Sequence, residues 1–307
     1  MTTVAAPTSA SVAMFLHAED ALFRRHGCEV TRRDLDLPAL GIRVRVLESG
    51  DGPALLFLPG LGAPAAVWAP LMAALGGFRC MAIDRPGCGL SDPMPVGGAD
   101  LRHWSVRLVS AVVQALDLTS VCLVGNSIGG TTALWHAIDN PGRVDRIVTI
   151  GAPPFVLDSE APLSMRLLSV PLITRRALAR SSPAEVEATF VRMGHPVGTL
   201  SPEFLELAGA VRRLPGYVDG FIGILHSATG LLGRRVAAPA EELARIRGPL
   251  LMVWGANDTH GPIATGRRMV GVMPDARLEV RGLGHLPWLD DAAGCAGVIR
   301  GFLTGMS

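Results

Sequence analysis

Lysine is absent from this sequence of 307 residues, in which arginine supplies all 28 positively charged side chains. The absence excludes every mechanism that depends on a lysine amine, including Schiff-base chemistry and the phosphate-binding lysine of a P-loop. The formal net charge is +1 at pH 7, and acidic and basic residues are spread evenly. This balance argues against nucleic acid or an anionic membrane as the main partner.

Cysteine is scarce, and the five cysteines are scattered without a C-x-x-C motif. An odd number in this pattern is typical of a reducing compartment rather than of a disulfide framework. No stretch reaches 18 apolar residues, and residues 1–13 lack the features of a signal peptide. Histidines and acidic residues are dispersed, without an H-E-x-x-H motif. We therefore expect a cytoplasmic protein with no membrane span, no metal and no cofactor.

The order of apolar segments predicts an α/β fold. Apolar residues at helical spacing predict an amphipathic helix over 10–26, and alternation within 30–48 predicts antiparallel edge strands. Short apolar runs that alternate with helix-like segments then predict a doubly wound, mostly parallel eight-stranded sheet. These runs cover 54–58, 78–83, 120–124, 146–150, 249–254 and 277–280.

The strand–helix alternation lapses between about residues 155 and 236. Helix start signals occur there near Pro162, Ser182, Ser201 and Pro215. We interpret the span 155–236 as an inserted helical lid, with the helices of an ordinary second domain as the alternative. Residues 1–154, which include the helix at 10–26, and residues 237–307 then form the two parts of the core.

The segment 121–130, Val-Cys-Leu-Val-Gly-Asn-Ser-Ile-Gly-Gly, carries the most informative motif. An apolar run ends in a G-x-S-x-G sequence, and a helix-like segment of small residues follows. This is the pattern of a nucleophile elbow, a sharp turn that lifts a serine above the sheet. Gly125 and Gly129 leave room for the strand and helix that pack beside the turn. Ser127 is therefore the candidate nucleophile.

A serine hydroxyl needs a base within hydrogen-bond reach and an acid that orients this base. His285 lies in a Gly-His-Leu-Pro loop after the last apolar run and is the candidate base, with His260 as its rival. Asp258 follows the run 249–254 and is the candidate acid, with Asp158 as the alternative. The chain order serine, acid, histidine accompanies this type of elbow.

Two backbone N–H groups must stabilise the oxyanion that develops during attack. One candidate is Ile128, directly after the serine, and the other is Leu61 in the loop after the run 54–58, with Gly62 as its alternative. The predicted lid carries mostly Leu, Met, Phe and Ile on its apolar faces, which indicates a small apolar substrate. The candidate substrate-binding residues are Gly60, Gly62, Asn126, Phe155, Met193, Phe221 and Trp288.

Five segments make the chain resemble the α/β-hydrolase superfamily from about residue 30 to its end. They are Leu-Pro-Gly-Leu-Gly at 58–62, Asp-Arg-Pro-Gly-Cys-Gly-Leu-Ser-Asp at 84–92, Gly-Asn-Ser-Ile-Gly-Gly at 125–130, Gly-Ala-Asn-Asp at 255–258 and Gly-His at 284–285. The resemblance implies a catalytic triad of Ser127, Asp258 and His285. Pro59 stands where many members have a histidine, and this departure concerns the conformation of the loop rather than the reaction.

Proteins that share this fold catalyse many different reactions, and the identity of the residue at the elbow excludes some of them. Epoxide hydrolases and haloalkane dehalogenases of this fold use aspartate there, and Ser127 argues against both. We therefore expect a carboxylic ester or thioester hydrolase that works through an acyl-enzyme. The second hypothesis is a C–C bond hydrolase of vinylogous diketones, since Trp288 and the elbow motif are similar to those enzymes and Arg192 could serve as their arginine. The third is a low-turnover, ligand-binding member of the fold.

Overall fold

The computed structural model describes residues 9–94, 100–119, 121–159, 163–229 and 238–305. Eight strands lie in this part of the chain: β1 (Thr31–Leu37), β2 (Ile42–Ser49), β3 (Ala54–Leu58), β4 (Arg79–Ile83), β5 (Val121–Asn126), β6 (Val144–Ile150), β7 (Leu250–Trp254) and β8 (Ala276–Val280). They form one sheet in the order β1-β2-β4-β3-β5-β6-β7-β8. Strand β2 is antiparallel to β1 and β4, and the other neighbours pair in parallel. The predicted eight-stranded, mostly parallel sheet is confirmed.

The central strands are apolar throughout because both faces of the sheet are covered. All residues of β5 and β7 are buried. Successive residues of β3 alternate between two hydrophobic clusters: Leu55 and Phe57 belong to one, and Leu56 and Leu58 to the other. This alternation follows from the two-residue period of a strand, and it explains why the run lacks polar positions. Ser120, where the predicted run 120–124 begins, lies outside the described residues.

Twelve α-helices lie in the described part of the chain. They are α1 (Ser9–Arg25), α2 (Ala69–Ala74), α3 (Leu101–Ala115), α4 (Ile128–Asp139), α5 (Leu163–Leu168), α6 (Pro171–Leu178), α7 (Pro183–Val191), α8 (Pro202–Val211), α9 (Tyr217–Thr229), α10 (Ala240–Leu243), α11 (Ile263–Val272) and α12 (Ala292–Thr304). The helix predicted at 10–26 is α1. Among the described residues, none of the helices combines the length and apolar character needed to cross a membrane.

Helices α5 to α9 and the loops between them, residues 163–229, lie between β6 and β7 in the chain. This segment is called the insert below. The Ser-Pro start signals act as expected: Ser182 forms a capping box with Glu185, and the Ser201 side chain accepts the backbone N–H of Phe204. The start predicted near Pro162 and the boundary predicted between 236 and 237 lie outside the described residues. The division into a core and a lid stays a prediction.

A buried ion cluster docks the N-terminal helix α1 against the sheet. Arg45 of β2 donates to both carboxylate oxygens of Glu19 at 2.9 and 2.6 Å, and to Asp84 at 3.2 Å. All three side chains are at most 5% exposed. Asp84 also accepts the backbone N–H groups of Ala65 and Leu90. The carboxylate that follows β4 therefore ties the loops near the ends of the strands together.

Candidate active site

Ser127 occupies the turn between β5 and α4, and its backbone is strained. Its φ of 53° and ψ of −123° are values that residues with a Cβ rarely adopt. Its side chain makes no capping hydrogen bond, although it stands at the N-cap of α4. The turn thus holds a hydroxyl that the helix does not use, beside the N–H of Ile128. This is the local structure that the G-x-S-x-G motif predicts.

The small residues around Ser127 are required by close backbone packing. A Cβ on Gly125 would lie 2.4 Å from the carbonyl oxygen of Gly129, and a Cβ on Gly129 would lie 2.0 Å from that of Leu58. These separations are far below van der Waals contact, and backbone atoms cannot move aside cheaply. The sharp turn therefore depends on glycine at both positions.

His285 and Asp258 meet at the carboxyl ends of the strands that carry them. The Nδ1 of His285 lies 2.9 and 2.8 Å from the two carboxylate oxygens of Asp258. Asp258 also accepts the backbone N–H groups of Ala152 and His260, each at 2.8 Å. Burial alone would raise the pKa of Asp258, but the charge and hydrogen bond of His285 and the two backbone donors lower it below its usual value. The alternative acid, Asp158, is exposed and pairs with Arg268.

The other ring nitrogen of His285 is available for chemistry. The residue is 2% exposed, and its Nε2 is buried without a hydrogen-bond partner among the described residues. Ser127 does not donate to it in this structure, and such bonds often tighten only when substrate binds. The two residues are linked through Asn126, whose side-chain amide donates to the carbonyl oxygens of Ile150 at 2.7 Å and His285 at 3.2 Å.

His260, the rival base, stacks on His285 instead of replacing it. The ring centroids are 4.0 Å apart with an interplanar angle of 17°. Burial, followed by the charge of His285, lowers the pKa of His260 to about 3. Asp258, His260 and His285 bring three potential ligand atoms within 4.8 Å of one another. A ring nitrogen binds a metal along its lone pair, which lies in the plane of the ring. The lone pairs of two stacked rings therefore run side by side instead of converging on one ion, so these rings are poorly arranged to chelate a metal.

The loop after β3 lies next to Ser127, as an oxyanion loop must. A Cβ on Gly60 would lie 3.5 Å from the Cβ of Ser127. Gly62 has a φ of 74°, in the left-handed region of the backbone that favours glycine. Leu61 as the second donor to an oxyanion, with Gly62 as its alternative, stays a prediction.

Buried polar side chains hold the oxyanion loop from two sides. Tyr217 of α9 donates its hydroxyl to the carbonyl of Gly62 at 2.9 Å. Arg85 donates to the carbonyl of Pro59 at 3.2 Å, and burial lowers the pKa of Arg85 to about 10. Two further nitrogens of Arg85 are buried without a partner in the described structure. Arg85 is therefore a buried cation directly behind the loop.

The predicted substrate-binding residues have different surroundings. Trp288 is fully buried, stacks on Trp68 with centroids 4.2 Å apart, and donates its ring N–H to Val67. Phe155 is buried and has a φ of 61°. These are contacts of core residues. The Asn126 side chain is likewise engaged, because its amide donates to backbone carbonyl oxygens. A role for Trp288, Phe155 and Asn126 in substrate binding stays a prediction.

Two predicted substrate-binding residues of the insert lie against the loops that carry the candidate oxyanion donor and the candidate base. Phe221 lies beside Gly62, where a Cβ would be 2.9 Å from its ring. Met193 accepts the backbone N–H of His285 at 2.9 Å through its carbonyl oxygen. Sequence reasoning missed the neighbouring His195, whose only local signal is a Gly-His-Pro order similar to the Gly-His-Leu-Pro around His285.

Comparisons with known proteins agree with the fold described above. The family described as alpha/beta hydrolase fold matches residues 53–186. A Burkholderia vietnamiensis protein named 2-hydroxy-6-oxononadienedioate/2-hydroxy-6-oxononatrienedioate hydrolase is 28% identical over 80% of this chain and 85% of its own length.

Two solved structures share the fold at 20% identity. A Bacillus subtilis carboxylesterase has a TM-score of 0.75, covering 96% of this chain and 99% of its own. A meta-cleavage product hydrolase from Pseudomonas fluorescens has a TM-score of 0.74, covering 90% and 98%. The sheet order, the elbow and these similarities together show that the chain has the α/β-hydrolase fold.

Proposed function

We propose that the chain is a serine hydrolase with Ser127 as nucleophile, His285 as general base and Asp258 as orienting acid. The observation that carries this proposal is the His285 imidazole: Asp258 holds its Nδ1, and its Nε2 is buried without a partner in the described structure. A ring held in this way keeps its proton on Nδ1 and has a basic Nε2 for a hydroxyl. The positive φ of Ser127 supports the same assignment.

In the proposed reaction, Ser127 Oγ attacks the substrate carbonyl carbon while His285 Nε2 takes the hydroxyl proton. Asp258 stabilises the resulting imidazolium without taking the proton itself. The N–H groups of Leu61 and Ile128 stabilise the oxyanion, and His285 then protonates the leaving group. Water activated by the same imidazole hydrolyses the acyl-enzyme and restores the serine.

The substrate that we propose is a carboxylic ester or thioester with a small, uncharged apolar group. The ring of Phe221 lies beside Gly62 of the oxyanion loop, so an apolar side chain of the insert flanks the reacting position. The backbone carbonyl of Met193 contacts the backbone of the base. The insert's Arg192, Arg212 and Arg213 donate to oxygen atoms within the insert itself. Their contacts support an uncharged substrate rather than an anion.

A C–C bond hydrolase is the second candidate function. The Burkholderia vietnamiensis relative is named for a dicarboxylate, and a substrate of this kind needs a cation near the reacting carbonyl. Arg192, the arginine suggested for this role, is exposed and lies 3.5 Å from Thr189. The buried Arg85 behind the oxyanion loop is the observation that favours this candidate.

We also propose that the insert covers the site as a lid, with bounds at 155 and 236. Its contacts with the oxyanion loop through Tyr217 and with the base loop through Met193 support this role. A cytoplasmic location is a further proposal, supported by five cysteines that are all free thiols.

Three reagents test the proposed function together. A series of p-nitrophenyl esters from acetate to octanoate measures ester hydrolysis, a fluorophosphonate measures labelling of Ser127, and 2-hydroxy-6-oxononadienedioate measures C–C hydrolysis. We expect ester turnover and stoichiometric labelling, both abolished in Ser127→Ala. Faster turnover of the dienedioate would favour the second candidate, and a folded protein without labelling or turnover would favour a ligand-binding member of the fold.

A further inference from the structure

A second histidine–aspartate pair joins the insert to the loop that carries His285. His195 lies between α7 and α8, and its side chain is fully buried. Its Nδ1 lies 3.1 and 3.0 Å from the two carboxylate oxygens of Asp290. Asp290 also accepts the backbone N–H groups of Leu283 at 3.2 Å and Gly284 at 3.1 Å. One carboxylate therefore holds both the insert and the two residues before the base.

The other ring nitrogen of His195 holds the residue after the base. Leu286 donates its backbone N–H to His195 Nε2 at 3.3 Å. Because Nε2 accepts a hydrogen bond, the neutral ring carries its proton on Nδ1, where it faces Asp290. Burial alone would raise the pKa of Asp290, but the hydrogen bonds from His195 and the loop backbone lower it. Asp290 thus selects the tautomer of His195 that can hold Leu286.

Close packing leaves this network little freedom to shift. A Cβ on Gly284 would lie 2.3 Å from the ring of His195. A Cβ on Gly194 would lie 2.0 Å from the carbonyl oxygen of Asn257, which precedes the candidate acid. The insert therefore touches the backbones of both loops that carry the histidine–carboxylate pair of the site.

We propose that His195 is a positioning residue for His285: through Asp290 and Leu286 it sets the backbone of the base loop and thereby the direction of the His285 ring. This inference rests on the proposed function of Ser127 and His285. A misplacement of about 1 Å can lower the rate of a catalysed step by about 100-fold. Since His195 acts through the backbone, its loss lowers kcat and leaves substrate binding nearly unchanged.

Three substitutions of His195 separate its two contacts. His195→Gln keeps an acceptor near the position of Nε2, His195→Asn keeps a donor near Nδ1, and His195→Ala keeps neither. The matched control is His136→Gln, because His136 is a buried histidine of α4 that contacts Asn140 instead of a catalytic loop. We expect kcat for a p-nitrophenyl ester to fall about 10- to 100-fold in His195→Ala, with KM changed less than about twofold. His195→Gln retains the most activity of the three, and the control stays near wild type.

A second measurement is independent of turnover. Long-range ¹H–¹⁵N correlation spectra of protein labelled with ¹⁵N-histidine report the tautomer of each ring. We expect His195 in the Nδ1–H form, and we expect Asp290→Asn to convert part of it to the Nε2–H form. The same substitution shifts the ring resonances of His285.

An unchanged kcat in folded His195→Ala overturns the proposal, as does an equal loss in His136→Gln. A wild-type His195 in the Nε2–H form also overturns it, even where the His195 variants fail to fold. If wild-type protein neither hydrolyses the esters nor reacts with the fluorophosphonate, the proposed function fails. In that case the spectra still decide whether His195 orients the His285 ring.

Discussion

Replacing Ser127 with glycine should stabilise the folded protein while removing the proposed nucleophile. The backbone of Ser127 has a φ of 53° and a ψ of −123°, a conformation that glycine adopts without steric conflict. Strain of this kind is worth about 1–3 kcal/mol, and the greater freedom of glycine in the unfolded chain offsets about 0.5–1 kcal/mol. The net gain in the free energy of unfolding is then about 0.5–2 kcal/mol.

Calorimetry of Ser127→Gly against Ser127→Ala checks this reasoning. The alanine variant is a matched control because it removes the hydroxyl but keeps the strain, and the serine side chain makes no capping bond that either variant would lose. With an unfolding entropy of about 2.1 cal/mol/K per residue, the gain corresponds to a rise in Tm of about 1–3 °C. Equal Tm values for the glycine and alanine variants would show that the strain in the turn is no larger than the glycine penalty of about 0.5–1 kcal/mol, which would refute the expected gain.

Three further outcomes follow from the structure. In p-nitrophenyl ester assays, Ser127→Ala or His285→Ala should lower kcat by about 10⁴- to 10⁶-fold, and the double variant should lose little more; additive losses would contradict a cooperating unit. The pKa of His260 is lowered from 6.5 to about 3 by burial and then by the charge of a neighbouring ring, so the unfolded chain takes up its proton first as the pH falls. Denaturant titrations should therefore show stability declining between these two values, and His260→Gln should flatten this decline; an equally steep loss in the variant would remove His260 as its cause. Gly129→Ala should lower the free energy of unfolding by about 1–3 kcal/mol or more, since its Cβ would meet a β3 carbonyl oxygen at 2.0 Å. Gly297→Ala, where nothing lies within 4 Å, should raise it by about 0.5–1 kcal/mol, and similar effects at both glycines would refute the packing argument.

Local patterns in the sequence predict the sheet, the elbow and the positions of Asp258 and His285. Each of these depends on a short segment: an apolar run, a glycine that permits a turn, and a polar residue where the strand ends. The parallel arrangement of strands then brings separate loops to one edge of the sheet, so topology supplies the proximity that no single segment encodes.

The surroundings of these residues depend on contacts between segments that are distant in the chain. The spacing of apolar residues within one segment does not predict such contacts. His195 reaches Asp290 across 95 residues of chain, and Tyr217 reaches Gly62 across 155. Trp288 illustrates the same limit. A tryptophan three residues after the base suits either a pocket wall or the core, and only its stack on Trp68 shows that it packs in the core.

The buried contact between Glu19 and Arg45 makes the first helix indispensable to the interior of the protein. Deleting the first 25 residues would remove a carboxylate that is fully shielded from solvent and leave Arg45, which is 4% exposed, without its bidentate partner. Breaking a buried ion pair from one side typically destabilises a protein by about 3–5 kcal/mol. Truncation within α1 would therefore act as a core mutation, and an expression vector should retain this helix.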